Sequence, residues 1–291
     1  MPEPVPLRVR WAERMETDAF TRHKIYVQSE CDYWVPAYYF VPHEIRAPAP
    51  GLVCLHGHSG VYPYIREWDA GQEAKMRQSA VDYAPSFAER GYVTIAPIQR
   101  GWNETAENVP EGETGCYRMV LSGLLAGVTP VGLRCWDASR ILDFLASQEA
   151  VDPRRIGAAG LSGGGTVSLF WSAIEPRVRL TMIAGHFGTF RDSVFAIRHC
   201  ICNCIPHIME WGDMREVAAL IAPRPLLIIN GKNDPIFPIR KARQVYRGLR
   251  KVYELLDAAG NLDNDFFDGS HAWSNRKAPA FVARHFPLPT V

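Results

Sequence analysis

The sequence has no excess of charge of either sign: 32 Lys and Arg face 31 Asp and Glu among 291 residues, a formal charge of +1. A chain so balanced has neither a broad basic surface for nucleic acid nor an acidic tail. The expected partner is a small, neutral or weakly charged molecule, with no nucleic acid and no membrane. A disulfide framework is also missing. Seven cysteines form an odd set without regular spacing, as expected for thiols in a reducing compartment. No internal repeat, low-complexity tract or linker-like break in composition divides the chain. Long lipid-compatible runs are absent too. The longest stretch without a charge, Ile156 to Ile174, spans 19 residues but holds five glycines and four hydroxyl residues, which suits a strand, a tight turn and a buried helix. The first residues, Met1 to Arg8, lack the continuous apolar segment of a secretion signal, so a cytoplasmic location is expected.

What is present is enough apolar material for a large core: 47% of residues are hydrophobic and 22% charged. The length alone would suit about two domains of average size. Short apolar runs at Gly51 to Leu55, Tyr92 to Ile98, Arg155 to Ala159, Leu180 to Ala184 and Pro225 to Ile229 read as strands, and Lys24 to Gln28, Trp34 to Val41 and Asp263 to Asp268 are strand-like. Val81 to Arg90, Trp136 to Gln148, Thr166 to Ile174 and Ile239 to Leu249 have helical spacing. Strands that alternate with helices pair in parallel, because a parallel neighbour needs a crossover long enough to hold a helix. The wholly apolar strands agree, since a sheet covered on both faces cannot alternate apolar with polar residues. The expectation is therefore one α/β domain over residues 1–291, with a mostly parallel central sheet flanked by helices.

Such sheets bind ligands beyond the carboxyl ends of their strands. There, after a strand and opening a helix, stands Gly160-Leu161-Ser162-Gly163-Gly164, a G-x-S-x-G pattern. Lifting a serine hydroxyl above the sheet edge demands a turn so sharp that side chains two positions either side would collide. Ser162 is the candidate nucleophile. A hydroxyl is a weak nucleophile near neutral pH, so it needs a base within reach and an acid to orient that base. His271, in Asp268-Gly-Ser-His-Ala-Trp273, follows the last strand and is the strongest base candidate, with His285 as competitor. Asp234, after Leu226-Leu-Ile-Ile-Asn-Gly231, is the acid candidate, with an alternative as an Asx-turn residue before Pro235. Asp213 and Asp268 are reserves. An oxyanion needs backbone donors aimed at it. Gly163 offers one N–H, and the loop His56-Gly57-His58 after an early buried strand offers a second at His58. His56 reads as structural.

These residues resemble the α/β-hydrolase superfamily, in its acetyl xylan esterase, cephalosporin-C deacetylase and dienelactone hydrolase-like branch. The resemblance spans about Tyr33 to Phe286. It is carried by Trp34-Val-Pro-Ala-Tyr-Tyr-Phe-Val-Pro42, Leu55-His-Gly-His58, Arg100-Gly101, Cys135-Trp-Asp-Ala-Ser-Arg-Ile-Leu142, Val151-Asp-Pro-Arg-Arg-Ile156, Gly160-Leu-Ser-Gly-Gly164, Ala222-Pro-Arg-Pro-Leu-Leu227, Asn230-Gly-Lys-Asn-Asp234 and Gly269-Ser-His271. It implies an α/β-hydrolase fold, a triad of Ser162, Asp234 and His271, and oxyanion donors at His58 and Gly163. Trp102 stands where the deacetylases continue with Gln-Gly.

The connection Gly185 to Val217, after the sixth predicted strand, is long enough to form a small cap. Trp102, His186, Phe187 and Trp211 are candidate walls of a substrate pocket, with ordinary cap packing as the alternative for the aromatics. His199-Cys-Ile-Cys-Asn-Cys-Ile-Pro-His207 raises the question of a metal. Structural zinc sites usually separate paired cysteines by two to four residues, and Cys200, Cys202 and Cys204 are closer, so buried thiols are expected there, with no metal and no cofactor. The expected activity is hydrolysis of short-to-medium acyl esters through an acyl-enzyme. Deacetylation of sugars, lactone or carbon–carbon bond hydrolysis, a serine peptidase and a non-catalytic ligand-binding homologue are the alternatives.

Overall fold

A computed structural model describes residues 2–45, 48–69, 71–106, 109–110 and 113–289. Nine strands form one sheet: β1 (Val9–Glu16), β2 (Phe20–Gln28), β3 (Trp34–Pro42), β4 (Ala49–Leu55), β5 (Val93–Pro97), β6 (Val151–Leu161), β7 (Val178–Ala184), β8 (Leu226–Gly231) and β9 (Leu262–Phe267). Their order is β1-β2-β3-β5-β4-β6-β7-β8-β9. β1, β2, β3 and β5 pair antiparallel in succession, and every later neighbour is parallel. The mostly parallel α/β sheet read from the sequence is present. β1 was not foreseen. Its sequence, Val-Arg-Trp-Ala-Glu-Arg-Met-Glu, is almost wholly exposed on the sheet edge, and charge there hides a strand from an apolarity search while discouraging edge-to-edge association. The strand before the long connection is therefore the seventh, not the sixth.

The helices are α1 (Glu73–Ser79), α2 (Tyr83–Ala88), α3 (Gly115–Ala126), α4 (Pro130–Ala146), α5 (Gly163–Ile174), α6 (Ile208–Trp211), α7 (Met214–Ala219), α8 (Ile239–Leu255) and α9 (Ala278–His285). β4 shows why its run had to be apolar throughout. Leu52 and Cys54 enter a core beneath α2 and α9, while Val53 and Leu55 enter a second core beneath α4 and α5. Each such side chain removed from water contributes about 1.5–3 kcal/mol. A third core joins α7 and α8 to β7 and β8 through Ile183, Ile228, Val217 and Leu249. The charge-free stretch Ile156 to Ile174 divides between β6 and α5, and among the described residues no single helix is long and apolar enough to cross a membrane.

Segment 185–217 consists mainly of turns, with a short 3-10 turn at Ile201–Asn203, then α6 and the start of α7. The Ile201–Asn203 turn packs against α3 and α4. Trp171 of α5 donates its indole N–H to Ser139 of α4 at 3.0 Å, tying the helix behind the β6 turn to its neighbour.

Candidate active site

Ser162 occupies the turn between β6 and α5 with φ 58° and ψ −118°, a backbone conformation costly for any residue bearing a Cβ. The turn is as tight as the motif requires. A Cβ on Gly160 would lie 2.2 Å from the Gly164 carbonyl oxygen, and one on Gly164 would lie 1.9 Å from that of Leu55. The Ser162 N–H donates to Ala184 O at 2.9 Å, pinning the turn to the end of β7.

Asp234 follows β8 and is almost fully buried. Its Oδ1 accepts the N–H groups of Ile236 (2.8 Å) and Phe237 (3.0 Å), and its Oδ2 meets His271 Nδ1 at 2.9 Å. The two roles foreseen for Asp234 are one device: the Asx turn spends one oxygen on the backbone and aims the other at the imidazole. Because a carboxylate only accepts, Nδ1 carries the proton and Nε2 is left as an acceptor. Nε2 is buried and without a hydrogen-bond partner among the described residues. The ring lies parallel to Phe237, 18° between planes and 6.2 Å between centroids. A Cβ on Gly185 would sit 2.8 Å from His271 Cε1, so the imidazole rests directly over the residue after Ala184, the acceptor that holds Ser162. Hydroxyl and imidazole face the same end of the sheet, and in this structure they make no hydrogen bond to each other.

The remaining acids and bases fall elsewhere. His285 ends α9 and packs against Phe281. Asp213 caps α7 through a reciprocal capping box with Glu216, and Asp268 is an exposed partner of Lys232.

His56 and His58 behave oppositely. His56 has no exposure; its Nδ1 donates to Gly57 O at 2.8 Å and its Nε2 accepts from Gln99 N–H at 2.9 Å. Burial pushes its pKa down to about 3, so the neutral ring is a brace between β4 and β5. The brace also orients the next peptide. With the Gly57 carbonyl engaged by His56, the His58 N–H of the same trans peptide points to the other side, where it has no acceptor among the described residues. Gly163, first in α5, has no carbonyl one turn earlier to bond. The His58 ring lies against Gly163, 2.8 Å from where a Cβ would be, and edge-on to Trp102 at 5.4 Å.

The pocket expectations need correction. Phe187 is fully buried within the core that joins α7 and α8 to the sheet, and His186 is 1% exposed, its Nδ1 meeting Thr166 Oγ1 at 3.0 Å, so neither presents a surface to a ligand. Burial holds the His186 pKa well below its ordinary value. Trp211 is 85% exposed and stands out into solvent on the four-residue helix α6. Of the four expected walls, His186 packs behind the Ser162 turn against Gly165 and Thr166, and Trp102 lies against the His58 ring beside it. The cysteine run also separates: Cys204 is exposed, and His199 and His207 do not join the thiols, whereas Cys200 and Cys202 meet Cys116 and His58. Cys116 lies 84 positions before Cys200 and carries no local signal of this convergence.

Comparisons with known proteins agree with the fold that carries this site. The family model for acetyl xylan esterase (AXE1) matches residues 12–190, a span that includes Ser162 and ends before Asp234 and His271. The Bacillus subtilis (strain 168) protein named "Putative hydrolase YtaP" is 26% identical over 226 residues, 75% of this chain and 71% of that protein. Among solved structures, acetyl xylan esterase 1 from Thermoanaerobacterium sp. JW/SL YS485 has a TM-score of 0.67 at 16% identity, covering 98% of this chain and 89% of that one. The glucuronoyl esterase from Solibacter usitatus has a TM-score of 0.70 at 16% identity, covering 97% and 86%. The fold is shared with these esterases. With the family model matching more than half of its length, the chain belongs to the acetyl xylan esterase (AXE1) family and is a carboxylic ester hydrolase.

Proposed function

We propose that the protein is a serine esterase acting on short-to-medium acyl esters, with Ser162 as nucleophile, His271 as base and Asp234 as its orienting acid. The observation that carries this reading is the unpartnered Nε2 of His271, buried beside the Ser162 turn while Nδ1 is bound by Asp234. An imidazole held in that tautomer accepts a proton from a hydroxyl, and such contacts tighten when substrate arrives. Ser162 Oγ attacks the ester carbonyl as its proton passes to Nε2. The His58 and Gly163 N–H groups receive the oxyanion. The protonated His271 gives its proton to the leaving alcohol, and water, deprotonated by the same nitrogen, releases the acid.

Trp102, edge-on to His58, is the apolar wall of the acyl side in this reading, and segment 185–217 is a cap above it. A sugar acetate as the natural ester is the second reading, favoured by the family match. p-Nitrophenyl acetate, butyrate and octanoate, an acetylated xylooligosaccharide and an aminoacyl anilide separate the readings. Turnover of the aryl esters, with fluorophosphonate labelling lost in Ser162→Ala, is expected. Hydrolysis of the anilide alone, or equal turnover by Ser162→Ala, overturns the proposal.

A further inference from the structure

A second cluster of chemistry lies beside the first. His58 from the loop after β4, Cys116 in the first turn of α3, and Cys200 and Cys202 around the Ile201–Asn203 turn bring one imidazole nitrogen and three sulfurs within 4.8 Å of one another. Cys200 Sγ lies 3.2 Å from Cys202 Sγ, and His58 Nε2 lies 3.3 Å from Cys202 Sγ. In tetrahedral zinc sites, Zn–S is about 2.3 Å and Zn–N about 2.0 Å, which places ligand atoms roughly 3.5–3.8 Å apart. The two distances above are a few tenths of an ångström shorter than that, and no pair of the four atoms is more than 4.8 Å apart. A disulfide would use two of the thiols and leave the third thiol and the imidazole without a purpose for their convergence.

Charge supplies an independent argument. Arg134 of α4 is 3% exposed, and among the described residues it has no carboxylate partner. Its guanidinium instead donates to Arg100 O at 2.8 Å, Cys202 Sγ at 3.3 Å and Cys116 Sγ at 3.4 Å. A buried cation without a counter-ion is costly, and neutral thiols do not compensate it. One Zn²⁺ with three thiolates and a neutral imidazole carries a net charge of −1, which cancels Arg134. Arg134 thus stands to the cluster as a counter-ion that also donates to two of the sulfurs, the arrangement that steadies metal-bound thiolates.

We propose that His58 Nε2, Cys116, Cys200 and Cys202 form a tetrahedral Zn²⁺ site, with Arg134 as its buried counter-ion. Binding exchanges protons of the thiols and the imidazole for the metal, with no change of oxidation state. The ion staples the loop carrying the His58 N–H to α3 and to segment 185–217. Its place is structural: all four positions are filled by protein, which leaves none for water or ester.

The test is metal content of the full chain, purified under reducing conditions after growth with zinc. About one zinc per chain is expected by elemental analysis, falling at least tenfold in Cys116→Ser and Cys202→Ala and unchanged in Cys204→Ser. Should the first two variants fail to fold, the wild type decides. Cobalt substitution is expected to give intense visible bands of four-coordination with a thiolate-to-cobalt charge-transfer band, and chelation is expected to expose three further thiols to Ellman's reagent. A reduced chain that takes up neither zinc nor cobalt, a mass two hydrogens lighter with a disulfide among these cysteines, or equal zinc in the two cluster variants overturns the site.

Discussion

Two imidazoles stand near Ser162, and they are held in contrasting ways. His271 is fixed by one carboxylate, and each member of its group comes from a loop that directly follows a strand: Ser162 after β6, Asp234 after β8, His271 after β9. His58 is surrounded by sulfur, and its partners come from the start of α3 and from a turn in segment 185–217. Burial alone lowers the pKa of His58, but without a metal the neighbouring thiols of Cys116 and Cys200 overcome it and raise the value to about 9, a proton that bound Zn²⁺ would displace, whereas His56, two residues earlier, is pushed down to about 3 by burial with only backbone partners. Partner chemistry thus separates the two groups: a carboxylate fixes the tautomer of His271, and sulfur surrounds the ring of His58.

The largest effects are expected in the group held by the carboxylate. Ser162→Ala is expected to lower kcat for p-nitrophenyl acetate by about 10⁶, as removal of a triad nucleophile does. Far-UV circular dichroism should remain unchanged; a loss under tenfold places the nucleophile elsewhere. Asp234→Asn is expected to cost about 10⁴, because an amide N–H turned toward Nδ1 favours the wrong tautomer. Retention of parental activity by that variant would remove the carboxylate from the mechanism.

The buried histidines sharpen the contrast through stability. His56 and His186 have folded pKa values held below the ordinary 6.5 by burial. Below pH 6.5 the unfolded chain therefore binds protons that the folded chain refuses. Stability is full above that pH and falls as pH drops, by up to about 1.4 kcal/mol per unit for each histidine, with the His56 contribution continuing to about pH 3. Urea unfolding at pH 7 and pH 5.5 measures it, and equal midpoints would contradict the neutral brace assigned to His56. The smallest effect is expected at Asp213→Ala. Loss of the α7 cap should cost about 1 kcal/mol in urea while ester turnover stays unchanged. A parallel loss of turnover would return Asp213 to the list of candidate acids.

How much was legible differs between the two groups for a physical reason. The Ser162 turn announces itself because steric exclusion of a Cβ at Gly160 and Gly164 acts within five consecutive residues. Asp234 follows an apolar strand whose burial on both faces leaves no polar alternation, so its end is visible as a change of composition, whereas the strand before His271, Leu-Asp-Asn-Asp-Phe-Phe, is half polar and partly buried. β1 escaped because an exposed edge strand has no apolar face to betray it. Phe187 and Trp211 were misread because an aromatic residue in a long connection packs inward or stands outward according to what its neighbours cover, and no short-range pattern records that.

Local sequence was sufficient for the α/β alternation and the serine turn, since each follows from sterics or periodicity over a few positions, while the order of the three candidate catalytic residues follows from the resemblance to α/β-hydrolases. Convergence of Cys116 with Cys200, Cys202 and His58, the direction of the His58 N–H, and the burial of Arg134 among sulfurs required the folded chain. Those contacts join residues dozens of positions apart, and their energies arise when helix, loop and sheet edge are packed together.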